Sequence, residues 1–325
     1  MKSVLVTGGA GFIGSHTTAR LVAEGVDVTV LDPLRPHADP DHAESLRYRR
    51  EVLLREARLV QGSTEDRERL RSLLADVAPD AIVHLGVLPL AGVALADRQL
   101  AFESILHGTV NLLDAAAERG GIEKFVYVSS SMVYGDFARS PMPETGDTSP
   151  KEIYGGMKLG GEVMTRVFSQ TMGIPHAIVR PSAVYGPTDV NGRIVQKVVE
   201  AACLNRPVTL INAATTYLDF SYVADVAEGI ALALLRPVEN ETFNITAGQA
   251  RTLGDLHDIL RAQFPEMPVE VIEQPTDFRP KRGTLDIAKA RELLGYEPRY
   301  SLEDGVDADV EFVTSRSAPG AAIAS

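Results

Sequence analysis

The chain has 325 residues, 45% of them apolar, and a formal net charge of -12, so it can bury a sizeable core in one or two domains and is no general binder of nucleic-acid backbones. Its single cysteine, Cys203, excludes an intrachain disulfide and a cysteine metal cluster. It opens on a strand-like run rather than a signal peptide, and no apolar stretch nears the roughly 20 residues that span a bilayer, so a soluble cytoplasmic protein is expected.

The apolar runs Val4–Val6, Val28–Leu31, Leu59–Val60, Ala81–Leu85, Phe125–Val128 and Ala177–Val179 read as buried parallel strands. Between them, Ile13–Glu24, Glu65–Ala75, Leu100–Arg119 and Gly160–Met172 carry helical spacing. Pro33 to Arg58 reads as a loop and then a surface helix, with Arg47-Tyr48-Arg49-Arg50 as a solvated face. After Arg180-Pro181 the segments shorten, interrupted by Pro187, Gly192, Pro207 and later prolines. The fold class is α/β: a Rossmann-type doubly wound parallel sheet over residues 1–180, with a smaller C-terminal α/β substrate lobe over 181–313. The small and polar residues 314–325 are expected to form a disordered tail.

Gly8, Gly11 and Gly14 stand at the first strand-to-helix turn, spaced GxxGxxG. Such a turn needs glycine for tightness and for close backbone approach to a pyrophosphate, and the helix that follows offers it free N–H groups. Asp32, eighteen residues after Gly14, ends the second strand. A carboxylate there accepts hydrogen bonds from a ribose 2′-hydroxyl and repels a 2′-phosphate, which favours NAD over NADP. Arg35 lies close enough to soften that preference.

A second constellation follows the fifth strand. A tyrosine has an ordinary pKa of about 10 and needs a nearby cation to work near neutral pH. Lys158 follows Tyr154 by four residues, one helical turn away on the same face. Its ammonium is expected to lower the Tyr154 pKa and to reach the nicotinamide ribose. Ser130, twenty-four residues upstream, offers a hydroxyl to hold a substrate oxygen against Tyr154. The minimal chemistry is proton transfer at Tyr154 coupled to hydride transfer at the nicotinamide.

These blocks resemble the extended short-chain dehydrogenase/reductase family, the group of NAD-dependent nucleotide-sugar epimerases, dehydratases and reductases. The resemblance runs over about residues 3–313 and rests on TGGAGFIG (7–14), HLG (84–86), GTVNLLDAA (108–116), YVSSSMVYG (127–135), YGGMK (154–158), RPSAVYGP (180–187), DFSYVADVA (219–227) and LDIAKARELLGYEP (285–298). It implies Ser130, Tyr154 and Lys158 as catalytic residues. It also implies cofactor contacts at Gly8, Gly11, Phe12, Ile13, Gly14, Asp32, Gly62, Ser63, Leu85, Gly86, Ser129 and Pro181, besides Tyr154 and Lys158. Substrate contacts are expected at Val87, Ser131, Met132, Ala183, Arg193, Leu218, Arg279 and Arg282. A homodimer is implied through a four-helix bundle of the Leu100–Arg119 and Tyr154–Met172 helices.

The departures from the family pattern are informative. Ser131 and Met132 stand where the family's 4,6-dehydratases carry an Asp-Glu pair, and its decarboxylases a glutamate at the second position. Without those carboxylates, both readings lose their acid/base. Ala183 and Leu218 replace an asparagine and an arginine that often hold the substrate diphosphate, Ile105 replaces another asparagine, and Pro89 stands for a lysine of some epimerases. Two lost diphosphate contacts cost several kcal/mol unless replaced, at about 1.5–3 kcal/mol each. Arg193, Lys197, Arg279, Lys281 and Arg282 are candidates to replace them; a smaller substrate without a diphosphate is the alternative. Ser63, in place of an aspartate that meets the adenine, can make the same kind of hydrogen bond.

Seven histidines are scattered without metal-ligand spacing, so no metal is expected. His84 and His107 read as structural or packing residues, Glu152 and Asp225 as helix-start acids, and Cys203 as core. The leading reading is an NAD-dependent sugar epimerase, with the sugar expected to be nucleotide-linked. The alternatives are an NAD-dependent dehydrogenase or keto-reductase of a sugar, sugar acid or small polyol, and a non-enzymatic NAD-binding regulator.

Overall fold

The six apolar runs become parallel strands, alternating with helices. The computed structural model describes residues 1–34, 42–87, 91–275 and 280–317. The first half runs β1 (Ser3–Thr7), α1 (Phe12–Ala23), β2 (Asp27–Asp32), α2 (Ala43–Tyr48) with a π-helical extension Arg49–Leu53, β3 (Arg58–Gln61), α3 (Arg67–Val77) and β4 (Ala81–His84). Then come α4 (Ala91–Ala96), α5 (Arg98–Ala101), a π-helical stretch Phe102–His107, α6 (Gly108–Arg119), β5 (Lys124–Val128), a 3-10 turn Ser131–Tyr134, α7 (Ile153–Met172) and β6 (His176–Pro181). The second half has β7 (Val184–Tyr185), α8 (Ile194–Cys203), β8 (Val208–Ile211), β9 (Tyr217–Asp219), β10 (Ser221–Tyr222), α9 (Val223–Leu235) and β11 (Glu241–Ile245). It ends with β12 (Ala250–Thr252), α10 (Leu253–Gln263), β13 (Val269–Ile272), α11 (Ala288–Leu294) and α12 (Leu302–Ser317).

The main sheet has seven parallel strands in the order β11-β6-β5-β4-β1-β2-β3. Successive side chains of a strand point to opposite faces, so Val4 and Val6 join one core and Leu5 the other. Phe12 and Leu21 of α1 and Val226 and Ile230 of α9 share the first core. Leu70 and Leu74 of α3 and Leu112 and Leu113 of α6 share the second. Burial on both faces is why these strands read as apolar runs rather than alternating patterns.

Several expectations change here. The single helix expected over Leu100–Arg119 is three pieces in one unbroken helical run from Arg98, where Asp97 caps α5 by accepting a 2.9 Å bond from Leu100 N, and with a π-helical middle. The helix expected from Gly160 starts at Ile153, so Tyr154 and Lys158 sit in its first turns. The division at residue 180 does not follow the layers: β11 pairs with β6 at the edge of the main sheet, and α9 packs on α1. Ala290 and Leu294 of α11 join the same main-sheet core, and the smaller lobe is built around Val195, Val198, Leu210, Phe220, Leu256 and Val306. At the C-terminus α12 runs through Ser317, four residues into the segment expected to be a disordered tail; the remainder of that segment lies outside the described residues. No helix among the described residues is long and apolar enough to cross a membrane.

Candidate active site

A cleft of about 690 Å³ opens along the C-terminal ends of the main-sheet strands, between the sheet and the smaller lobe. This is where open parallel sheets bind ligands. At one end the chain turns from β1 into α1. Gly8 has φ +69°, and a Cβ on it would lie 2.6 Å from Gly86 Cα. A Cβ on Gly14 would lie 2.1 Å from the Gly8 carbonyl oxygen. Both positions therefore require glycine. Gly11 caps α1 with no side-chain hydrogen bond, so the first-turn N–H groups stay available to an anion at the cleft wall formed by Gly11, Phe12, Ile13 and Gly14.

Asp32 lines the same end, its carboxylate fixed by bonds from Ala10 N (3.2 Å) and Leu34 N (2.9 Å). Gly62, Ser63, Leu85, Gly86, Ser129 and Pro181 continue the wall toward the other end. The glycine cradle, the helix start and the oriented carboxylate fit a dinucleotide with a free ribose 2′-hydroxyl. Arg35 lies outside the described residues.

Ser130, Tyr154 and Lys158 meet in the cleft. Ser130 ends the loop after β5, and its hydroxyl oxygen accepts a 3.2 Å bond from Met132 N. Lys158 is 2% exposed, and its Nζ donates to the Val128 carbonyl at 2.6 Å. Burial lowers its pKa to about 7. The Lys158 Nζ lies 5.9 Å from the centre of the Tyr154 ring. The expectation that Lys158 lowers the Tyr154 pKa is not met in the protein alone. Burial pushes Tyr154 up to about 12, and the cations that oppose this are Arg193 and Arg282. Lys158 is instead turned to the sheet backbone, where its ammonium is spent on the Val128 carbonyl.

Beneath the reacting end lies a buried network that sequence reasoning missed. Ser129 Oγ donates to Glu162 Oε1 at 2.7 Å, and Arg180 grips both Glu162 oxygens at 2.8 and 2.6 Å. Arg180 also donates to Tyr134 Oη (2.9 Å), which donates to Asn244 Oδ1 (2.7 Å). The Arg180 guanidinium and the Ser129 hydroxyl hold the Glu162 carboxyl below its ordinary pKa although burial opposes them. The network joins β5, α7, β6 and β11 directly under Ser130. Glu162 follows Lys158 by four residues on the same helix, and that spacing was the available signal.

Of the residues expected to meet substrate, Val87, Met132, Ala183, Arg193, Leu218 and Arg282 line the cleft. Ser131 does not: it is 1% exposed, because the 3-10 turn that starts there rotates it into the interior. Lys197 and Lys281 are exposed and do not line the cleft wall. Arg279 lies outside the described residues, as does Pro89. Ala183 has φ +37°, a left-handed backbone that asparagine or glycine adopts more readily. Arg193 donates to Asp189 Oδ1 at 2.8 Å and lies 5.5 Å from the Phe12 ring centre.

Arg49 corrects the reading of the basic run as a solvated face. It is 5% exposed, lines the cleft beside the glycine turn, and donates to the Ala10 carbonyl (3.4 Å) and to the Thr188 carbonyl. Thr64, Ser104 and Asn191 also line the cleft without having been singled out. The residues set aside behave as structural. His84 is fully buried between Thr7 Oγ1 (2.6 Å) and Thr109 Oγ1 (2.9 Å), and burial lowers its pKa to about 3. Asp225 accepts from the Arg299 and Tyr300 amides at 3.0 and 3.1 Å. His107 is exposed and so does not pack within the chain.

Comparison with known proteins agrees with this geometry. The model of the NAD dependent epimerase/dehydratase family matches residues 4–246. A dTDP-L-rhamnose 4-epimerase of Burkholderia thailandensis is 30% identical over 94% of this chain and 93% of its own. The UDP-glucose 4-epimerase of Thermotoga maritima, solved with UDP-glucose, superposes with a TM-score of 0.85 at 30% identity, covering 95% of this chain and 98% of that one. The UDP-glucose 4-epimerase of Thermus thermophilus, solved with NAD, gives 0.85 at 29% identity, covering 97% and 99%. With its glycine cradle, its Ser-Tyr-Lys set and a family match over most of its length, the chain belongs to the NAD-dependent epimerase/dehydratase family, in the extended short-chain dehydrogenase/reductase group.

Proposed function

We propose that this protein is an NAD-dependent epimerase that inverts a carbinol carbon of a sugar, the sugar being nucleotide-linked. The observation that carries this reading is that Ser130, Tyr154 and Lys158 share one cleft with the glycine cradle, and that the acids lining it among the described residues, Asp32 and Glu65, belong to the cofactor end. An acid/base set without a second carboxylate suits a redox-neutral cycle rather than water loss or decarboxylation. The 4-epimerase names of the relatives support the same reading.

Bound NAD supplies a hydride acceptor and donor at the nicotinamide ring. Tyr154 takes the proton from the substrate hydroxyl as the carbinol becomes a carbonyl, and returns it after the carbonyl has presented its other face. Ser130 holds that oxygen against the phenol, its own hydroxyl steadied by Met132 N. Lys158, its pKa lowered by burial to about 7, holds its nitrogen 5.9 Å from the centre of the Tyr154 ring and would hold a ribose hydroxyl of the cofactor. Glu162 fixes Ser129 and so the loop that carries Ser130.

A dehydrogenase or keto-reductase reading draws on one observation, the apolar Ala183 and Leu218 where a diphosphate grip is expected. One experiment separates the two. The protein is purified without added cofactor, its bound nucleotide is released and identified, and UDP- and dTDP-hexoses are incubated with it in deuterated water. The epimerase reading expects about one NAD per chain and inversion with no deuterium at the inverted carbon. An empty site that forms net NADH once NAD is supplied favours the dehydrogenase, and deuterium at the inverted carbon refutes hydride return.

A homodimer is part of this proposal. Phe102, Val163 and Val167 are 45%, 48% and 41% exposed on the Phe102–His107 stretch and α7, which pack on each other. A second copy of that helix pair would cover them as a four-helix bundle. Light scattering should return twice the chain mass, and Val163→Glu with Val167→Glu should halve it.

A further inference from the structure

Arg282 enters the reacting end of the cleft from the segment before α11. The backbone around it is pinned on both sides. Lys281 N donates to Asp136 Oδ1 (2.7 Å) and Thr284 N to Ser140 Oγ (3.0 Å). Leu285 N donates to Asp219 Oδ2 at 3.0 Å. The guanidinium is therefore delivered to a fixed place.

What it meets there is chemically incomplete. The hydrogen-bond partner of Arg282 among the described residues is the thioether sulfur of Met132, a weak acceptor facing a group with five N–H donors. Other arginines near the cleft have anionic or carbonyl partners: Arg180 has Glu162, Arg193 has Asp189, and Arg49 has two carbonyls. Glu152 is the carboxylate whose field reaches Arg282, but the two form no ion pair. Arg282 is part-buried in the cleft wall and faces no carboxylate at bonding distance among the described residues, so an anion entering the cleft would complete its bonding.

The position says which anion. Met132 follows Ser130 by two residues, and Arg282 acts electrostatically on Tyr154. The charge that Arg282 receives therefore lies beside the carbon whose hydroxyl Ser130 and Tyr154 hold. The positions expected to grip a diphosphate, Ala183 and Leu218, offer only apolar side chains. Resting on the epimerase reading above, we infer that the substrate sugar itself carries a carboxylate next to its reacting region, a hexuronate-type unit, and that Arg282 binds it. Met132 then forms the apolar side of the same subsite, in keeping with a carboxylate that is held rather than expelled. A planar guanidinium fork suits a carboxylate through two parallel bonds, which a lysine cannot reproduce.

A phosphate of the nucleotide presents similar oxygens, and the test separates the two sources. Calorimetric titration of the NAD-loaded protein compares UDP-glucuronic acid with UDP-glucose, free glucuronate with glucose, and UDP alone, for the wild type and Arg282→Gln. The carboxylate site expects a preference for the acid in at least one pair of about tenfold to a hundredfold. Arg282→Gln should erase that preference and leave UDP binding unchanged. No preference in either pair, whether from equal binding or from none, overturns the inference even if the variant fails to fold. A variant that weakens both UDP-sugars and UDP equally also overturns it, since Arg282 would then hold the diphosphate. Turnover is followed in the same samples: a preference without epimerisation would sink the reaction assignment and leave the carboxylate site, and epimerisation without preference would do the reverse.

Discussion

The Arg49 guanidinium donates to the carbonyl oxygen of Thr188, joining two segments 139 residues apart in sequence. The same side chain reaches the Ala10 carbonyl in the glycine turn at 3.4 Å. Burial lowers its pKa to about 10, with Asp189 opposing that shift, so it stays charged at neutral pH. The cation thus ties the cofactor loop to the chain that leads into α8.

If that tie retains the cofactor, removing it should loosen NAD. Arg49→Met keeps the length and loses charge-assisted bonds worth about 1.5–3 kcal/mol together. The expected outcome is a tenfold to hundredfold faster release of NAD, read by exchange against labelled NAD. An unchanged release rate would assign Arg49 to folding alone.

Tyr154→Phe removes the phenol oxygen and keeps the ring that packs near Met157. Loss of one positioned acid/base group is worth about 10²–10⁴ in kcat. The variant should retain its NAD, which separates a chemical defect from a binding one. Activity within tenfold of the wild type would remove Tyr154 from its role.

Ala183 holds φ +37° without the freedom of glycine. Ala183→Gly should relieve that backbone and stabilise the protein by about 1 kcal/mol, raising Tm by roughly 2 °C. A lower Tm in a thermal melt would show that the methyl packs well enough to outweigh the strain.

Asp219 is fully buried, with Oδ2 accepting from Thr246 Oγ1 (3.2 Å) and Leu285 N (3.0 Å), and burial raises its pKa to about 6. A carboxyl whose pKa is raised on folding favours the folded state at low pH, and that contribution is lost as pH climbs from about 4 through 6. Asp219→Asn removes the titration. Its stability relative to wild type should therefore improve by up to about 3 kcal/mol between pH 4 and pH 7.5 in urea unfolding. A difference that does not change with pH would contradict the raised pKa.

The sequence discloses what is dictated locally. Val4-Leu5-Val6 must be a strand buried on both faces, and Gly8 and Gly14 can be nothing larger, because their Cβ atoms would strike backbone. Tyr154 and Lys158 declare themselves by helical spacing. What hid from the sequence depends on distant partners. Glu241-Thr242-Phe243-Asn244-Ile245 mixes polar and apolar residues because it is an edge strand, so its return to the main sheet left no apolar run to read. Arg49 looks like its neighbours in a basic run, and only the carbonyls of Ala10 and Thr188 make it a buried residue. Ser131 was misread for the opposite reason: its place beside Ser130 suggested the cleft, but a helical turn sends adjacent side chains in different directions.

The placement of β11 has a consequence for how the chain is made. Between the end of β6 at Pro181 and the start of β11 at Glu241, roughly sixty residues must leave the ribosome, which takes about 3–12 s at ordinary elongation rates. Throughout that interval β6 is the outer strand of a nascent sheet, with its hydrogen-bonding edge open. The residues that emerge meanwhile include α9, whose apolar face belongs against α1. Docking of that helix before β11 arrives would cover the apolar face of the growing sheet, so that only the backbone edge of β6 is left waiting for its partner.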